Sequence, residues 1–62
     1  MTYFTIDNTE GFTTAELNIL NDALAILIAR NPDAEEYILS DAVNNAWVGG
    51  QTAEQLADAT SF

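Results

Sequence analysis

Sixty-two residues with one Lys/Arg against ten Asp/Glu, no His and no Cys carry a formal net charge of −9 at pH 7. A chain of this length forms one small domain and buries only about 60% of its unfolded surface. It has no disulfide, no thiolate zinc site and no histidine to serve as general base or metal ligand. Its 48% hydrophobic content excludes a disordered acidic tail.

The sign of the charge opposes binding to nucleic acid and to anionic membranes, so a charged partner is expected to be basic. The longest apolar stretch, Ala23 to Ala29, is far short of the roughly 20 residues of a membrane span. The N-terminus lacks the basic and apolar pattern of a secretory leader. A soluble, cytoplasmic protein is expected.

In chain order, residues 1–12 read as an arm and loop. Within Thr2 to Ile6, a β-prone stretch, Phe4 and Ile6 share one face and Tyr3 and Thr5 the other. A lone strand either lies as an extended arm across helices, anchored by Phe4 and Ile6, or pairs with another chain. Asp7 to Gly11 reads as a loop.

The first helix opens on the strongest local signal. Thr13 and Glu16 have the spacing of a capping box, with Phe12 and Leu17 placed as a hydrophobic staple. The helix is expected over about 14–30, stopped by Asn31-Pro32, with Arg30 in the last turn where the helix dipole favours a cation. Leu17, Leu20, Leu24, Leu27 and Ile28 make one face, and Ile19, Ala23 and Ile26 widen it. Asn18, Asn21 and Asp22 lie opposite. An apolar arc of about 200° exceeds what packing on one neighbour needs. The helix is therefore central, or its Ile19/Ala23/Ile26 seam meets a second chain.

The second helix is expected over about 34–48. Asp33 and Glu36 form a looser capping pair, and Gly49-Gly50 ends it. Ile38, Leu39, Ala42, Val43, Ala46 and Trp47 fall on one side; Tyr37, Asp41 and Asn44 line the other, with Asn45 beside them. Ser40-Asp41 is also a possible cap that would break this helix at Leu39. The third helix, over about 53–60, follows a Thr52/Gln55 capping box, with Ala53, Leu56 and Ala57 inward and Glu54 and Asp58 toward water. The fold class is all-α: a small three-helix domain with an extended N-terminal arm.

Catalytic chemistry is not expected. Ser40 and Ser61 have no His or Lys to activate them. Adjacent Glu35 and Glu36 point about 100° apart on a helix and do not face one another as an acid/base pair. The oxygen-rich Asp7 to Gly11 loop fails the EF-hand pattern, because the sixth and twelfth positions do not carry Gly and Glu. The two helices around Gly49 to Thr52 have helix-turn-helix length, but the last carries Glu54 and Asp58 and no cation for phosphates. Acyl carriers attach their prosthetic group at Asp-Ser-Leu; here the order is Leu39-Ser40-Asp41. No cofactor and no metal are expected.

What remains is the charge. A globule of this length is roughly 27 Å across. Duplex DNA of that length carries about 16 charges at one per ~1.7 Å. Solubility alone does not require so much charge, and self-repulsion costs stability.

In size, absence of Cys and His, helical character and acidity, the chain resembles the small inhibitors of phages and mobile elements, anti-CRISPR proteins in particular. The resemblance rests on no motif. It implies a non-enzymatic inhibitor that binds a basic nucleic-acid-binding surface of a defence complex, such as a CRISPR effector, by acidic mimicry or steric block. Glu35, Glu36, Asp41, Glu54 and Asp58 are the expected charge carriers, with Tyr37 as aromatic anchor and Asn44 beside it. The alternative is a small acidic interaction module, homodimeric through Ile19, Ala23 and Ile26, with acidity serving solubility.

Overall fold

The computed structural model describes Phe4, Thr5 and residues 11–60. They form α1 (Thr14–Arg30), α2 (Glu36–Ala46) and α3 (Ala53–Ala59), with no β-strand among the described residues. The Cα radius of gyration, 10.5 Å, equals the value of about 10.5 Å expected for a packed chain of this length.

α1 begins where its cap predicts. The Thr13 hydroxyl accepts from the Glu16 backbone N–H (3.2 Å), and the Glu16 carboxylate accepts from the Thr13 N–H (2.9 Å). Two of the four otherwise orphaned donors are thereby satisfied. α3 repeats the device with Thr52 and Gln55 at 3.0 and 3.1 Å. At the far end of α1, Asn31 closes the last turn twice, through its backbone N–H (2.9 Å) and its side-chain amide (3.0 Å), both donated to the Leu27 carbonyl.

α2 departs from the expected bounds at both ends. The Asp33/Glu36 pair does not form; the N-cap is Glu35, and no side chain caps it. Asn31-Pro32-Asp33-Ala34 is instead a turn closed by the Ala34 N–H donating to the Asn31 carbonyl (3.0 Å). Proline is suited to the second position of such a turn, so Asp33 is used before the helix starts. At its other end α2 stops at Ala46, two residues early. Trp47 is the C-cap in an extended conformation, and its half-buried ring packs against Phe12 with centroids 6.2 Å apart.

Gly49 and Gly50, at φ +95° and +76°, carry the following loop. That left-handed backbone is nearly free for glycine and costly for other residues. Gln51 ties this loop together. Its amide donates to the Ala46 carbonyl (3.1 Å) and its oxygen accepts from Val48 and Gly49 N–H at 3.1 and 3.2 Å. The possible break at Ser40 does not occur. Buried Ser40 bonds the Tyr37 carbonyl (2.9 Å) inside a continuous helix.

The core is Leu17, Leu20, Ala23, Leu24 and Leu27 of α1, Leu39 and Val43 of α2, Leu56 and Ala57 of α3, and Phe4. α1 supplies half of it and packs extensively on both other helices, which touch each other little. α1 is the central helix. Each fully buried leucine is worth about 1.5–3 kcal/mol of transfer free energy, so this helix makes the largest single contribution to hydrophobic stabilisation. Ile28 and Ile38, read from the pattern as inward, are exposed at the edges of the core.

Most of the expected N-terminal arm lies outside the described residues, its second anchor Ile6 and the Asp7–Glu10 loop included. Phe4 is described, and it is buried in the core.

Candidate interaction surface

Every described carboxylate lies at the surface. Asp22, Asp33, Glu35, Asp41, Glu54 and Asp58 are exposed, and Glu16 and Glu36 are half-buried. Among the described residues only Asp58 meets a cation: its Oδ1 accepts from Arg30 Nη1 at 3.0 Å, with both side chains largely solvated. Arg30 is the one basic side chain of the sequence. The carboxylates thus stand outside the core, as the charge reading requires.

The expected partner-binding residues do not share one face. Tyr37, Asp41 and Asn44, spaced four and three residues apart, lie on the outward side of α2, opposite buried Leu39 and Val43. Glu35 and Glu36 sit at the start of that helix. Glu54 and Asp58 belong to another flank. Ala59 lines a groove of about 360 Å³ with Ala42, Asn45 and Ala46 of α2, whereas Asp58 reaches across to the end of α1. Consecutive helical residues point about 100° apart. Asp58 therefore points toward the end of α1 rather than into the groove that Ala59 lines, Arg30 offsets part of its charge, and Glu54 stands one turn earlier on α3.

The seam proposed for a second chain is largely covered from within. Ala23 is fully buried, and Ile19 and Ile26 are half-buried against the core. Arg30, seven residues after Ala23 and four after Ile26, shares their flank and bonds α3. The wide apolar arc serves the packing of α1 against both other helices.

Two features escaped the sequence reading. The first is Asn21, placed on the polar side of α1. Its side chain accepts from the Phe4 N–H and donates to the Phe4 carbonyl, both at 2.8 Å. One amide thus holds both backbone groups of a residue seventeen positions away and seats the Phe4 ring. No local signal announces such a bond, because both partners are ordinary until the chain folds back. The second is Ile38, 41% exposed beside Tyr37 at 56%, which gives the outward side of α2 apolar as well as polar area.

Among the described residues, no group of three or more His, Cys, Asp or Glu is placed to hold a metal ion. No helix among them is long and apolar enough to cross a membrane. In comparisons with protein-family models, curated proteins and solved structures, nothing matches the chain.

Proposed function

We propose that this is a non-enzymatic binding protein that occupies a basic, nucleic-acid-binding surface of a larger protein or nucleoprotein complex in the cytoplasm and inhibits it. This is the role of the anti-CRISPR proteins that the chain resembles in size and charge, a CRISPR effector being the partner of that type. The observation that carries the reading is the field: −9 over a body 30 × 21 × 16 Å, with its only basic side chain already engaged by Asp58. Helices hold Glu16, Asp22, Glu36, Asp41, Glu54 and Asp58, so this part of the charge has a fixed shape. A basic cleft built for phosphates attracts such a shape, and the same field repels competing nucleic acid. Because the carboxylates are spread over two flanks, contact through one face leaves the other to block steric access.

The test is competition. A nucleic-acid-binding complex that captures this protein is expected to release it to added duplex DNA, with binding weakening at least tenfold between 50 and 300 mM salt, as roughly screened charges dictate. Binding that is unchanged over that range, or that DNA does not displace, overturns the reading.

A further inference from the structure

We propose that the outward face of α2 is an arginine receptor: Tyr37 stacks a partner's guanidinium and Asp41, one turn on, takes its hydrogen bonds. The inference rests on the function proposed above and names the contact within it. Tyr37 is 56% exposed, an unusual placement for a large aromatic ring in so small a protein. Asp41 is exposed, and no hydrogen bond or ion pair ties its carboxylate to another described residue. Four residues apart on one helix, their Cβ atoms stand about 5–6 Å from each other. That is the span of a guanidinium lying over a ring with its edge turned to a carboxylate.

Charge complementarity selects the occupant. The face has no Lys or Arg of its own, since the one basic side chain, Arg30, is held by Asp58 at the end of α1. Exposed Ile38 and Asn44 border the pair, the one offering apolar contact for an aliphatic stem and the other an amide. Arginine fits this arrangement better than lysine because its planar, weakly hydrated group stacks and hydrogen-bonds at once. The partner element is an arginine-bearing segment of a basic protein surface. Glu54, on a helix whose own sequence has no aromatic residue, attracts both cations alike.

Two peptides of equal length and charge, one with arginines and one with lysines, distinguish this contact from a diffuse field. With the full chain at moderate salt, the arginine peptide is expected to bind about 3- to 5-fold more tightly, the range of an exposed cation–π contact. Tyr37→Ala removes the preference and leaves lysine binding unchanged. Tyr37→Phe retains it, Asp41→Asn weakens the arginine peptide more than the lysine one, and Glu54→Gln weakens both equally. Equal affinity of the two peptides for the unaltered protein, or a preference that survives Tyr37→Ala, overturns the arginine receptor while salt-sensitive binding of both sustains the acidic-surface function. Absence of binding by either peptide overturns both. Helical circular dichroism of each variant confirms that it is folded, and all three altered side chains are exposed.

Discussion

α1 and α2 are the instructive pair. α1 is capped by a reciprocal side-chain box, buried along a wide arc and covered on both sides. α2 has no side-chain cap, ends early and keeps one full side in solvent. One helix holds the molecule together, and the other is free to present residues that stability does not need. In a marginal domain, residues such as Tyr37, Ile38 and Asp41 are best placed for contact on the element whose outer surface carries no structural duty.

The sharpest way to break this contrast is to truncate one buried residue of α1 and one outward residue of α2. Leu20→Ala, at a fully buried position, is expected to cost about 2–5 kcal/mol. Total stability for this length is roughly 3–9 kcal/mol, so circular dichroism should show a largely unfolded or cold-labile protein. Tyr37→Ala should leave the free energy of urea unfolding within about 0.5 kcal/mol of the parent. Comparable losses would dissolve the distinction between the two helices.

Next in size is the tie between α1 and the N-terminal segment. Asn21→Ala removes both 2.8 Å bonds to Phe4 and is expected to cost about 1–2 kcal/mol. Hydrogen exchange at the Phe4 amide should accelerate well beyond what the global loss explains. Exchange that tracks global stability alone would deny the clamp a local role.

The caps give a smaller effect of opposite sign in the two helices. Thr13→Ala should destabilise by about 1 kcal/mol, whereas Glu35→Asp, which supplies a preferred capping residue where none acts, should stabilise by roughly 0.5 kcal/mol. Thermal unfolding of both variants tests this. The smallest effect is expected at the ion pair: Arg30→Gln should change stability by less than about 0.5 kcal/mol, because both partners are solvated. A loss above about 1 kcal/mol would make that pair a pin for α3 rather than an incidental surface contact.

The all-α class, three helices in order and the starts of α1 and α3 were legible in the sequence, because capping boxes and 3.6-residue periodicity are local and Thr13, Glu16, Thr52 and Gln55 meet their partners within one turn. The surface position of the described carboxylates was equally legible, since burying an unpaired charge is prohibitively costly. Tertiary packing settled the remainder. It buried Ala23 and half-buried Ile19 and Ile26 of the seam, drew Trp47 out of helix to meet Phe12, recruited Asn21 to hold Phe4, and paired Asp58 with Arg30. Each of these depends on a residue far along the chain that becomes a neighbour only after collapse, and periodicity along one helix carries no information about which neighbour arrives.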